Sequence, residues 1–346
     1  MSDSKIVIYI GRDALETIAI FDDDYPHLHD IFKSHSILCV DLSDAELDEI
    51  LSDKESDLSQ FCLKNDIQTI PLKDYFDSLR EDKSQIAEKP RAMFFFDITA
   101  SEAEELSTKY GVIVQSETAI NDRVLQLSFK KGLNKGVMVR GNDDGWRNLL
   151  AGVKLPPMNS LIISDNYLLQ NEANDKLVGF ENLKMLLNSI LPKTLGTSFH
   201  LLIVAPMPQK IRPEKADQLN GMLKAFLKQV RPYDFQLEFV FNNTIHPRKI
   251  FSNYFVIVGD KGFQLFHPTH TTLVYDDNQL AITSVLHDTI ETYGDSELSL
   301  SLNDIDKIRK SCVTLREQIL GGVKDPTKRI IGDTTKDKII QNRLVN

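Results

Sequence analysis

Two apolar runs in the first third of the chain lead directly into helix-capping boxes, and this pairing restricts the fold more than any other feature. Residues 36–40 (SILCV) end at Asp41 and are followed by Ser43-Asp44-Ala45-Glu46, a Ser-x-x-Glu box that opens a helix through Leu51. Residues 91–98 (RAMFFFDI) run into Thr99 and Glu102, a second such box, whose helix ends near Tyr110-Gly111. Residues 112–114 then read as the next strand. Short runs rich in β-branched and aromatic residues mark buried strands. Strand, capped helix and strand in succession is a βαβ unit, which implies a parallel sheet. Residues 5–10 (KIVIYI), closed by Gly11, supply an earlier strand of the same kind. Residues 52–90 are polar, with scattered apolar positions, and read as a short helical excursion.

Residues 124–129 and 136–139 add two strands, and Gly141-Asn142-Asp143-Asp144-Gly145 a turn. Lys154-Leu155-Pro156-Pro157 marks a boundary, because consecutive prolines continue neither a helix interior nor a sheet. Beyond it the α/β rhythm repeats. Residues 160–163, 199–205 and 235–241 read as strands, and Phe180, Leu183, Leu187 and Ile190 share one helical face. Ala216, Leu219, Leu223, Phe226, Leu227 and Val230 line another, and a loop is expected after residue 275. A last helix is carried by Ile305, Ile308, Cys312, Leu315 and Ile319, and the polar stretch after Gly321-Gly322 is expected to be mobile. The fold class is therefore α/β in two domains. Residues 1–157 form an acidic parallel-sheet domain, 158–320 a second α/β domain, and 321–346 a polar basic tail. No internal repeat or low-complexity tract is present.

Composition bounds the function. A chain of 346 residues with 42% apolar and 26% charged content is an ordinary globular sequence. No run approaches the ~20 apolar residues of a membrane helix, and the opening MSDSKIVIYIGRD lacks the basic n-region of a signal peptide. Cys39, Cys62 and Cys312 are odd in number and widely spaced, which points to a reducing, cytoplasmic setting. Residues 1–158 hold 18 Lys and Arg against 29 Asp and Glu, a formal −11, whereas 159–346 hold 22 against 21, a formal +1. So acidic a first half disfavours wrapping a nucleic-acid backbone. The stretch 307–343, with 10 basic and 4 acidic residues, leaves room for a smaller anionic contact or an acidic partner.

The chemistry-bearing stretch is 242–266, NNTIHPRKIFSNYFVIVGDKGFQLF. A cationic turn (His246, Arg248, Lys249) precedes two apolar runs joined at Gly259-Asp260-Lys261-Gly262. The turn would project from the rim of a buried sheet. His246-Pro247-Arg248, the four spacers to Asn253, and the apolar run ending at Gly259-Asp260 resemble the signature segment of the phospholipase D superfamily. That signature is His, one spacer, Lys, four spacers and Asp, then a strand ending in Gly-Ser. The order of strands and helices from residue 159 to about 275 is similar as well. The closest likeness is to the degenerate phospholipase-D-like domains of microtubule-interacting-and-transport proteins, which bind rather than cleave.

In that superfamily one His attacks phosphorus and a second protonates the leaving oxygen. The resemblance puts His246 in the nucleophile's place. Arg248 replaces the Lys and retains phosphate-binding capacity with a different reach. Asn253 replaces the Asp and cannot stabilise an imidazolium by charge. The motif occurs once, so a catalytic site would need a homodimer with two His246 side chains across a two-fold axis.

The function expected is a non-catalytic binding or regulatory protein that recognises an anionic ligand (phosphate or nucleic acid) or a protein partner. His246, Arg248, Lys249, Asn253 and Lys261 would be the contact residues. Such an organisation suits a component of a bacterial defence assembly. One alternative is a homodimeric, metal-independent phosphodiesterase or nuclease using His246. A second is a Mg²⁺-dependent nuclease at Asp13, Asp41 and Asp97, which all fall just past strand ends. Asp there is also a common helix N-cap. His267 with His270, and His27 with His29 beside Asp22-Asp23-Asp24, have metal-ligand spacing but read as loop residues. No cofactor is expected, since Gly11-Arg12-Asp13 lacks both GxGxxG and Walker spacing.

Overall fold

The computed structural model describes residues 5–65, 67–121, 135–138, 145–151, 153–169, 178–207, 213–242, 247–266, 273–274, 278–285, 297–322, 325, 327–333 and 340–345. The fold is α/β with two sheets. The first contains β1 (Ile6–Ile10), β2 (Ser36–Val40), β3 (Thr69–Pro71), β4 (Met93–Phe96) and β5 (Ile113–Ser116), in spatial order β3-β2-β1-β4-β5. Every pair is parallel. The chain runs outward from β1, then crosses back to β4, so the switch point lies between β1 and β4.

Both faces of this sheet are covered, and β2 and β4 are accordingly buried at every position. On one face α1 (Arg12–Ile20), α2 (Pro26–His35) and α4 (Asp57–Lys64) bring Leu15, Ile18, Phe32 and Phe61 onto Ile8, Leu38 and Phe95. On the other, α5 (Lys73–Glu81) and α6 (Ala100–Tyr110) pack Phe76, Leu79 and Ala103 on Tyr9, Phe94 and Val114. Both capping boxes form. Ser43 with Glu46 opens α3 (Asp44–Ser52), and Thr99 with Glu102 opens α6. Residues 52–90, expected as one helical excursion, instead supply α4, β3 and α5.

The second sheet has eight strands in the order β13-β9-β8-β7-β10-β11-β12-β6. They are β6 (Lys135–Met138), β7 (Ser160–Ser164), β8 (Phe199–Ala205), β9 (Phe235–Phe241), β10 (Lys249–Ser252), β11 (Phe255–Gly259), β12 (Gln279–Ser284) and β13 (Arg329–Gly332). β7, β8 and β9 run parallel, and the other pairings are antiparallel. The chain changes sheet between β5 and β6, ahead of Pro156-Pro157. α7 (Gly145–Leu149), α8 (Val178–Ile190) and α9 (Pro213–Val230) cover one face through Trp146, Leu183 and Leu223. α10 (Glu297–Leu320) packs Ile305, Ile308 and Cys312 against the opposite side. β12 lies where the sequence reads as loop, and the strand expected at 124–129 falls outside the described residues.

One apolar cluster contains Ile8 and Phe95 of the first sheet together with Ile162 and Phe251 of the second. The turn between β10 and β11 adds polar ties. The Tyr254 hydroxyl, fully buried, donates to the Ala92 carbonyl and accepts from Ile113 N–H at 2.9 Å. Asn253 Nδ2 donates to the Gly111 carbonyl at 2.9 Å and to Asn159 Oδ1 at 3.3 Å. Asn159 in turn donates to the carbonyls of Ala87 and Tyr110, both at 2.8 Å. Gly111, the left-handed cap of α6 at φ 66°, is required here, because a Cβ would stand 2.5 Å from the Met158 backbone.

The C-terminal stretch departs most from expectation. Its described residues are docked, whereas the sequence reads as a mobile tail. β13 pairs with β9 at the sheet edge, and Ile340, Leu344 and Val345 join the shared cluster. The reason is a buried carboxylate. Glu238 in β9 is 1% exposed, and its oxygens accept the Gln341 and Asn342 N–H groups at 2.7 and 3.1 Å. Asn342 Nδ2 donates to the carbonyls of Leu161 and His200, both at 3.0 Å. Arg343 reaches Glu88 at 2.8 Å and the Ser198 carbonyl at 2.8 Å. No helix among the described residues is long and apolar enough to cross a membrane.

Candidate functional site

The rim that carries the candidate residues is set by strand direction. β7 and β11 end, and β10 begins, on the same side of the second sheet, since Lys249 pairs with Ser164 and with Val258. This gathers Asp165, Tyr167, Arg248, Lys249, Asp260 and Lys261. Asp165, which the sequence reading did not single out, is the organiser. It is 1% exposed and accepts from Tyr167 N–H at 2.9 Å and Phe263 N–H at 2.7 Å. Burial pushes its carboxyl up to about 6, while the two N–H donors and nearby Arg248 pull the other way. The fit requires Gly262, which has φ 83° and whose Cβ would lie 2.7 Å from the Asp165 oxygens.

Arg248 stands over the Tyr167 ring, its guanidinium carbon 4.8 Å from the centroid, and donates to the Asp260 carbonyl. Lys249 points to the other face of the sheet, where it meets Asp304 of α10 at 2.9 Å; both side chains are about four-fifths buried. On that face Asn242, at the end of β9, donates to Ser311 at 2.8 Å, a second tie to α10. Lys261 is held at its backbone, whose N–H donates to Asn278 Oδ1 at 3.1 Å. His246 lies outside the described residues.

Asn253 does not belong to this rim. It sits at the far end of β10 from Arg248, fully buried, with its amide committed to Gly111, Asn159 and the Ser160 N–H. Its assignment as a ligand contact is therefore corrected. A strand of four residues separates the two positions, and the turn holding Asn253 faces the first sheet rather than solvent.

The carboxylates of the first sheet fall at the carboxyl ends of their strands as expected, but they do not assemble into a metal centre. Arg80 donates to Asp41 in an ion pair. Glu117, a residue the sequence reading did not single out, accepts from Gly11 N–H at 2.8 Å, at the start of α1 beside the switch point. Its carboxyl is raised chiefly by burial, with the Gly11 N–H acting against this and Asp97, Asp13 and Asp41 adding to it. Among the described residues, no group of three or more His, Cys, Asp and Glu side chains is placed to hold a metal ion. His27 and His29 lie within α2, and the His29 ring packs 5.4 Å from Phe61. They are helix residues, not loop residues as expected. His267 and His270 lie outside the described residues. The chain matches no family model, and no curated protein matches it.

Proposed function

We propose that this protein is a non-catalytic binding or regulatory protein whose second α/β unit, phospholipase-D-like in its segment 246–259, recognises an anionic ligand or a protein partner at the Arg248 rim. The observation that carries this reading is the placement of Asn253. The position where the superfamily keeps an acid holds an amide that must donate to the Gly111 carbonyl, which a carboxylate cannot do. Arg248 supports it further, being held at the rim over the Tyr167 ring, whereas Lys249 is taken up by Asp304 on the other face. The three cysteines are free and buried, which fits a reducing compartment such as the cytoplasm.

The test is turnover of a generic phosphodiester and of single- and double-stranded nucleic acid by the full chain, with EDTA present, beside His246→Ala. No cleavage by either protein is expected. Metal-free cleavage lost in His246→Ala would replace this reading with the homodimeric phosphodiesterase. Retention on an anionic resin should fall for Arg248→Ala at unchanged stability, and retention equal to wild type would remove the rim from the reading.

A further inference from the structure

A cavity of about 590 Å³ opens between β5 with α6 of the first sheet and the segments 154–158 and 190–194 of the second. Its size lies in the usual range of small-molecule sites, about 300–1,000 Å³. Its shape follows from chemistry that keeps the two walls from zipping together. Among the described residues β5 is an edge strand. The Ser107 hydroxyl of α6 accepts from Val114 N–H at 2.8 Å and donates to the Val114 carbonyl at 3.2 Å, so the middle of that edge is already satisfied. Facing it, Pro156 and Pro157 have no N–H to offer a strand ladder. These features also disfavour an added peptide strand as the occupant.

The cavity has a built polar contact. Gln115 is 9% exposed and lines it. Its Oε1 accepts from Asn121 N–H at 3.4 Å, and among the described residues its Nε2 has no partner. A ligand acceptor in the cavity would give that donor a hydrogen bond. Lys154 and Lys193 stand exposed at the cavity, neither in an ion pair among the described residues, while Glu104 contributes one opposing charge. Met158 and Ile190 add buried apolar wall. We propose that this cavity binds a small organic monoanion. Its apolar body would rest on Met158 and Ile190, an acceptor would meet Gln115 Nε2, and its acidic group would meet Lys154 and Lys193. The cavity shares no residue with the Arg248 rim, so the two readings fail separately.

Anilinonaphthalene sulfonate, an aromatic body with one acidic group, is a suitable probe for a fluorescence titration of the full chain. Saturable binding at one site is expected, about tenfold weaker with Lys154→Ala and Lys193→Ala combined and weakened also by Gln115→Leu. Ala119→Trp, at an exposed position of the lining, should abolish it. Each variant's urea midpoint is measured alongside, and Arg248→Ala serves as the control that should leave the dye unaffected. The neutral analogue phenylnaphthylamine should bind at least tenfold more weakly. Equal binding by Ala119→Trp, equal affinity for the neutral analogue, or no saturable signal would overturn the proposal.

Discussion

Asn253 shows how one side chain decides between two roles. Restoring the acid that the phospholipase D signature carries, with Asn253→Asp, places a carboxylate against the Gly111 carbonyl in a fully buried site. An uncompensated buried charge costs about 3 kcal/mol or more. Asn253→Asp should therefore lower the urea midpoint sharply without creating activity, and a variant as stable as wild type would contradict the role given to the amide. Tyr254→Phe removes one hydroxyl that serves both Ala92 and Ile113. Its expected cost is about 2 kcal/mol, read from the same denaturation curves. Gly262→Ala forces a side chain into a left-handed conformation and against Asp165, and a loss of ~1–3 kcal/mol from backbone strain alone is expected.

At the scale of elements, the titrating groups pull in opposite directions. Glu46, which closes the cap of α3, is held down to about 2 by its bonds to Ser43, and Glu102 is lowered likewise by Thr99 at α6. Their stabilisation is present above the ordinary carboxylate range and is lost as pH falls through the lowered values. Glu238, under the C-terminal segment, is raised by burial from 4.5 to about 7, and Asp165 from 3.8 to about 6. The folded state binds their protons more tightly than the unfolded state does. Stability from these two is full below their unfolded values and is lost as pH rises through 6 to 7. Urea midpoints should thus be higher at pH 5 than at pH 8, and Glu238→Gln should remove much of that difference. A midpoint that rises from pH 5 to pH 8 would show that the buried carboxyls titrate normally.

The same elements explain what could be read in advance. The boxes at Ser43 and Thr99 act within four residues, so α3 and α6 were legible. The parallel sheet followed from them. β12 and β13 were not. β12 (QLAITS) carries weak alternation, and β13 (RIIG) has only two apolar residues; both exist because a neighbouring strand offers an edge. In the rim, the cations were visible in 246–249, but their partners Tyr167 and Asp304 come from distant segments that no local spacing reveals. The cavity beside β5 was hinted at only by Pro156-Pro157, and Gln115 fell just past the strand read at 112–114.

For the whole molecule, the two sheets are joined by a shared apolar cluster and by polar ties of great sequence span. Arg343 joins Glu88 to the Ser198 carbonyl while only 5% of its side chain is exposed. Arg343→Ala should leave the Ser198 carbonyl unmatched and weaken the coupling of the sheets. Trp146, the single tryptophan, lies in the cluster of the second sheet and reports on it alone, whereas far-ultraviolet dichroism reports on both. In wild type the two signals should give one urea midpoint, and in Arg343→Ala two. The first sheet, by contrast, is assembled entirely from residues 6–116, each strand after β1 beside one that precedes it in the chain. In the second, β6 must await β12, with Gly136 meeting Ala281 across the intervening chain. Closing so long a loop is entropically slow. The sheets therefore acquire a temporal order that the finished structure conceals: on refolding from urea, dichroism should recover first and Trp146 fluorescence later, the delay being the time β6 spends without a neighbour.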